Sequence, residues 1–170
     1  SAQKTLYEMF APKMMGVCLR YTHNREEAED FLQDGFIRIF EKINTFRFQG
    51  SFEGWMRRII VNMIIESFRQ NKKTAELFTE LTDNQSLLTE DETNAQKAPS
   101  LDALLKMIQQ LPTRYRMVFN LCVMEGLSHD EIAKELNIST GSSKSNLSRA
   151  RRWLQDKVRQ YYNNEAVRTS

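Results

Sequence analysis

SHDEIAKELNISTGSSKSNLSRARRW, residues 128–153, decides the fold. Its first half carries the marks of a short helix. Ser128 is a cap, and Glu131 three residues on completes a capping box. Ile132, Ala133 and Leu136 follow at helical spacing, with Ala133 small where two helices must approach closely. Asn137 stands at the turn, being one of the few non-glycine residues that tolerate positive φ. Ile138 returns to the core, and Ser139 or Thr140 caps a second helix. That helix turns Leu147, Ala150 and Leu154 inward and Lys144, Arg149, Arg151 and Arg152 mostly outward. Two short helices, a tight turn and a basic outer face make a helix-turn-helix pattern, a device for laying one helix into the major groove of DNA. The plain alternative is an ordinary helical hairpin with a solvated basic face, so the rest of the chain has to decide.

A length of 170 residues fits one or two small domains, and 41% hydrophobic with 10% aromatic content supplies packed cores. Six Gly and three Pro are few, which suits helices. A net charge of +2 rules out a general polyanion binder, but the charge is segregated. Residues 24–34 hold one Arg against five acids, and residues 55–73 hold five Lys/Arg against one Glu. Residues 71–100 hold three Lys against six acids, and residues 141–170 hold seven Lys/Arg against two acids. Two basic segments separated by an acidic one suggest two nucleic-acid contacts and a spacer. Cys18 and Cys122 lie in apolar helical contexts, far apart in sequence, and read as buried reduced thiols suited to a reducing cytosol. Neither His23 nor His129 gives metal-ligand spacing with them, so no metal and no cofactor are expected. No run approaches transmembrane length and no signal-peptide pattern is present, so a cytoplasmic location is expected.

In chain order, residues 4–22 read as a helix that Pro12 bends or breaks early. Asn24 caps a second helix, roughly 25–43, whose apolar side is Ala28, Phe31, Leu32, Gly35, Phe36, Ile39, Phe40 and Ile43. Glu29, Asp30, Gln33 and Asp34 cluster on another face. Acids in the first turn complement the helix dipole; Gln33 and Asp34 lie too far along for that, and the patch suits docking of a basic partner. Residues 45–55, TFRFQGSFEGW, form an aromatic loop that either holds unstacked bases or plugs the core with Phe46 and Phe52. Trp55 opens the next helix, with Met56, Ile59, Ile60, Met63, Ile64 and Phe68 buried and Arg57, Arg58, Asn62, Arg69, Lys72 and Lys73 outward. Arginines hold phosphates there, and Asn62 can read a base edge bidentately. Residues 74–100 are polar and acidic, a mobile linker with a short helix near 75–81. Beyond it come an amphipathic helix stopped by Pro112, a helix from Thr113 to Glu125 stopped by Gly126, the helix-turn-helix, and a fraying tail over 160–170.

Four blocks in one order resemble the extracytoplasmic-function (ECF) sigma factors: NREEAEDFLQDGFIRIF, TFRFQGSFEGWMRRIIVN, the LP–RYRMVF–L helix, and DEIAKELNIS–GSSKS–LSRAR. The resemblance implies an all-α fold of two small helical domains joined by a flexible acidic linker. Residues 1–73 would be the region 2-like domain, which binds core RNA polymerase and reads and melts the −10 element. Residues 74–100 would be the linker, and residues 101–170 the region 4-like helix-turn-helix domain that reads the −35 element. By the same resemblance Glu29, Asp30, Gln33 and Asp34 would contact core polymerase. Phe46, Ser51, Phe52, Trp55, Arg57, Arg58 and Asn62 would serve the −10 element, with a flipped base beside the Phe/Gly/Ser loop. Thr140, Ser142, Lys144, Ser145, Arg149 and Arg152 would serve the −35 element. The implied partners are core RNA polymerase, promoter DNA and an anti-sigma factor, commonly the cytosolic domain of a membrane protein; no small-molecule substrate is implied. The sequence departs from the family pattern at Ser143, where an apolar residue usually packs, at Asn137 in place of a common turn glycine, and at Asn146 in place of a frequent arginine.

Two other classes compete. A stand-alone helix-turn-helix regulator would bind paired half-sites as a dimer, but it has no use for the basic segment 55–73. An enzyme on nucleic acid would need paired carboxylates or metal ligands beside a basic surface; the acids of 26–34 have no histidine support, and no catalytic motif is present. A non-enzymatic role is therefore expected.

Overall fold

The computed structural model describes residues 1–76 and 98–169. Among them the fold is all-α: α1 (Ala2–Tyr21), α2 (Arg25–Lys42), a 3-10 turn (Ile43–Thr45), α3 (Phe52–Glu76), α4 (Leu101–Gln110), α5 (Thr113–Val123), α6 (His129–Leu136) and α7 (Thr140–Thr169). Most of the acidic linker, and the short helix expected near 75–81 beyond Glu76, lie outside the described residues.

Local chemistry sets most of the boundaries. Asn24 Oδ1 accepts from the Glu27 amide at 2.8 Å, starting α2. Ser100 caps α4 in the same way. Gly126, at φ +69, turns the chain after α5. Helix α1 runs through Pro12 without breaking, and Pro12 lines a groove with Met15 and Phe36. Helix α3 starts at Phe52, three residues before Trp55, because Ser51 Oγ caps it by accepting from the Gly54 amide at 3.0 Å. The expected fraying over 160–170 is also corrected: α7 continues to Thr169, with Tyr161 and Tyr162 half-buried and no Gly or Pro to stop it.

Helices α1, α2 and α3 pack together around Met14, Val17, Cys18, Leu32, Phe36, Ile39, Met56 and Ile60. Gly35 is required where α2 meets α3, since a Cβ there would lie 2.7 Å from Ile60 Cγ1. The helix pairs α5–α7 and α6–α7 form the second unit, whose apolar contacts include Leu121, Ile132, Leu136 and Leu147. These two units are not separate cores. One buried cluster runs from Met14 through Ile64 and Ile65 to Met117, Val118, Leu121 and Ile132, with α1 against α4 and α5 and α3 against α6.

Polar groups make that seam specific. The last turn of α1 leaves backbone carbonyls without helical partners. Gln109 Nε2 donates to the Leu19 carbonyl at 3.2 Å, and Asn120 Nδ2, fully buried, donates to that of Arg20 at 2.8 Å. The second unit therefore finishes a helix of the first.

Candidate nucleic-acid interface

The helix-turn-helix is built as its residues dictate. Ser128 and Glu131 exchange both bonds of a capping box, and Asn137 occupies the left-handed region at φ +55. Of the two candidate caps for the second helix, Ser139 is the one used; its Oγ accepts from the Ser142 amide at 3.0 Å. Lys144, Ser145 and Arg152 are exposed along α7 and Arg149 is half-exposed, so the basic face looks outward. Thr140 and Ser142 lie at its start, Thr140 donating to Asp130 Oδ1 at 3.1 Å and Ser142 Oγ accepting from Ser139 at 2.9 Å. Such geometry suits a helix whose first turns enter a groove. Ser143, standing where an apolar side chain is expected, is fully buried, and its Oγ lies 2.8 Å from His129 Nδ1. The hydroxyl thus replaces apolar contact with a hydrogen bond between the two helices of the motif.

The aromatic loop forms a cluster that packs against the core through Phe52 and Trp55. Phe46 lies 5.1 Å from Phe52 and 5.3 Å from Trp55, ring to ring, and Phe52 stacks on Trp55 at 5.5 Å. All three are half-buried, and Phe52 reaches Phe10 of α1 at 5.7 Å. Their outer edges stay at the surface. Phe48, absent from the candidate residues, is 88% exposed at φ +56, an uncommon backbone state for a bulky residue. Gly50 at φ +81 supplies the adjacent bend. Ser51 is held by its capping bond. Arg58 and Asn62, one turn apart on α3, are both exposed.

Arg57 departs from its expected outward position. It is half-buried, and its Nη2 lies 2.7 Å from Glu125 Oε1 and 3.3 Å from the Met124 carbonyl. Tyr21 donates to the same Glu125 oxygen at 3.0 Å. Burial, then the charge of Glu125, raise the Tyr21 phenol above its ordinary value. Burial, then Arg57 itself, lower the nearby Arg20 guanidinium, whose Nε is buried without a hydrogen-bond partner. Glu125 thus accepts from both Arg57 and Tyr21.

The acidic face of α2 is open. Glu29, Asp30, Gln33 and Asp34 are all exposed, and the Arg25–Glu29 pair at 3.1 Å is a surface pair of small energetic weight. Sequence reasoning missed the apolar part of this face: Ile37 is 52% and Tyr7 42% exposed, lining one groove with Glu29 and Gln33. Exposed apolar area rimmed by acids is a signal of docking.

Residues 6–74 match the family Sigma-70 region 2, and residues 101–154 match Sigma-70, region 4. The ECF RNA polymerase sigma factor SigW of Bacillus subtilis is 31% identical over 163 residues, which cover 91% of this chain and 87% of SigW. The chain belongs to the ECF RNA polymerase sigma factors. The RNA polymerase sigma-H factor of Pseudomonas aeruginosa is 30% identical over 149 residues, 82% of this chain and 77% of that one. The ECF sigma factor SigE of Mycolicibacterium smegmatis is 28% identical over 155 residues, 89% of this chain; the match spans 59% of SigE. Among solved structures, the sigma factor RpoE of Bartonella quintana, in complex with the anti-sigma factor NepR, has a TM-score of 0.53 at 21% identity. The match covers 92% of this chain and 96% of RpoE, a likeness of fold. As an ECF sigma factor the chain binds core RNA polymerase and directs promoter-specific initiation of transcription.

Proposed function

We propose a bipartite division of labour within this sigma factor. The face of α7 bearing Thr140, Ser142, Lys144, Ser145, Arg149 and Arg152 reads duplex DNA at the −35 element. The aromatic cluster of Phe46, Phe52 and Trp55, with Ser51 at its edge and Arg57, Arg58 and Asn62 along α3, opens and holds the −10 strand. Glu29, Asp30, Gln33 and Asp34 dock on core polymerase. Each DNA contact alone is weak, and the connection between them makes the second binding step intramolecular.

One observation carries this reading: a basic helix face, an aromatic cluster beside exposed Arg58 and Asn62, and an acidic-apolar face lie on different helices of one chain. Nothing in that arrangement requires the chain itself to catalyse a reaction, and we read it as a non-enzymatic subunit. We place it in the cytoplasm, where polymerase and promoters are; no described helix is long and apolar enough to cross a membrane. The complex of RpoE with NepR supports an anti-sigma partner for this chain too.

Reconstitution tests the reading. Core polymerase with this chain should start transcription at discrete promoters in genomic DNA. A chain that fails to bind core polymerase at micromolar concentration would overturn it.

A further inference from the structure

Ser143 is a hydroxyl in an apolar place. It is fully buried near the start of α7, and its Oγ lies 2.8 Å from Nδ1 of His129, the first residue of α6. His129 itself is half-buried. The bond turns one ring nitrogen inward. Among the described residues no hydrogen bond engages the other, Nε2, which keeps contact with solvent. The starts of α6 and α7 are tied a second time, by Thr140 donating to Asp130 Oδ1 at 3.1 Å. His129 thus sits on the same edge of the motif as Thr140, Ser142 and Lys144, residues given above to the −35 duplex. In a helix-turn-helix the first helix crosses the DNA backbone while the second enters the groove. The half-exposed ring at the head of α6 then meets that backbone.

We propose that His129 Nε2 donates to a DNA phosphate beside the −35 element, and that Ser143 positions the ring for this contact. The helix-turn-helix then binds DNA more tightly as the ring takes up a proton from solvent. This inference rests on the −35 assignment of α7 made above.

The chemistry follows from what a hydroxyl can do, since serine both donates and accepts. Toward a neutral ring Ser143 donates to Nδ1, which leaves the ring hydrogen on the outward Nε2. Toward a charged ring it accepts from Nδ1–H, and Nε2–H still points outward. One hydroxyl therefore holds the same donor in place in both states, which an apolar side chain cannot do. A phosphate beside the ring favours its charged form, and histidine is the side chain that ordinarily titrates between pH 5 and 8. Helix α6 packs against α3, α5 and α7. The charges of α3 meet its far end, Arg69 at Glu135 and Lys72 at the Asn137 carbonyl. Glu125, just past α5, is taken by Arg57. Nearer the ring stand Asp130, held by Thr140, Glu131, held in the capping box, and exposed Lys144 of α7. The arginines of α7 begin at Arg149, more than a turn further along. Neither acid bonds to the ring, which leaves Nε2 to an incoming anion.

The test uses the full chain and a labelled 30-base-pair duplex of mixed sequence, because a phosphate contact carries no sequence information. Fluorescence anisotropy is read at pH 8 and pH 6 over a range of salt. The wild type should bind about threefold or more tighter at pH 6 than at pH 8. At pH 6 its slope of log affinity against log salt should exceed that of His129→Gln by about 0.9, the share of one phosphate. His129→Gln should lose the pH effect, while His23→Gln, at the only other histidine, should keep it. Ser143→Val should lose most of the pH effect at unchanged helix content by circular dichroism, and Ser143→Thr, which keeps the hydroxyl, should retain it. A wild type of equal affinity at the two pH values overturns the proposal, as does a pH effect that survives in His129→Gln. A Ser143→Val chain that loses affinity equally at both pH values makes Ser143 a packing residue and overturns its positioning role. Lys144→Ala with Arg149→Ala tests the underlying assignment separately: unchanged duplex binding there removes the −35 face itself, and the proposal with it.

Discussion

Gly35 has no room for a methyl group. Its position, 2.7 Å from Ile60 Cγ1 once a Cβ is added, lies where both neighbouring helices are buried and cannot easily part. Gly35→Ala should destabilise the chain by about 1–3 kcal/mol, the usual cost of overpacking. Urea unfolding would measure it, and adding Ile60→Val should recover part of the loss; no recovery would place the strain elsewhere. Arg149 tests the −35 surface. Arg149→Ala should weaken duplex promoter binding by about 1–3 kcal/mol if the guanidinium reads a base. Equal loss on unrelated duplexes would make it a phosphate contact instead. Residues whose role is local were legible before the structure: Asn24, Ser128 and Asn137 each do what their side chains favour within three or four residues. Ser143 was legible as an anomaly and illegible as a solution, because its partner His129 lies on the other helix of the motif.

At the scale of the helix, the proposed division of labour falls on α2 and α3. Helix α2 is amphipathic, and its open side carries Glu29, Asp30, Gln33 and Asp34 around Ile37. Replacing Gln33 and Asp34 together by Ala should weaken core-polymerase binding at least tenfold and leave isolated duplex binding unchanged. Surface plasmon resonance with each ligand would separate the two, and an equal loss in both would break the assignment. Helix α3 was read with one apolar side, yet Val61 and Ile65 are buried as well as Met56 and Ile60. The signal was present: a helix apolar on most of its circumference is covered on most of it. What covers it could not be read, because Leu121, Ile132 and Leu136 lie beyond the linker and no periodicity within α3 points to them. The same distance hid the pairing of Arg57 with Glu125.

For the whole molecule, the shared core puts titratable groups under common constraint. Cys18 is fully buried, which pushes its thiol from 9.0 up to about 12. The Tyr21 phenol is raised from 10.0, first by burial and then by Glu125. Both groups are favoured neutral in the folded chain. Their stabilisation is complete below the unfolded values and is lost progressively as pH rises from 9 toward about 12 for the thiol and from 10 upward for the phenol. Between pH 9 and 10.5 stability should fall by about 1.4 kcal/mol per unit from Cys18 alone. Urea midpoints at pH 8, 9.5 and 10.5 would show it, and Cys18→Ala should flatten the first stage; an identical slope would assign the effect to other groups. The all-α class and two helical units were legible from periodicity and stop signals. Their mutual burial was not, since surface complementarity between distant segments leaves no trace in either one alone.

The dependence of α1 on Gln109 and Asn120 for its last carbonyls also has a meaning in time. A ribosome delivers α1, α2 and α3 before any of α5 or α6 exists. Phe68 precedes Leu136 by about 70 residues, so at ~5–20 residues per second the apolar side of α3 waits several seconds for its cover. During translation the nascent N-terminal half is an adhesive, unfinished bundle, and whatever meets it in that interval, chaperone or polymerase, meets it before the chain can close upon itself.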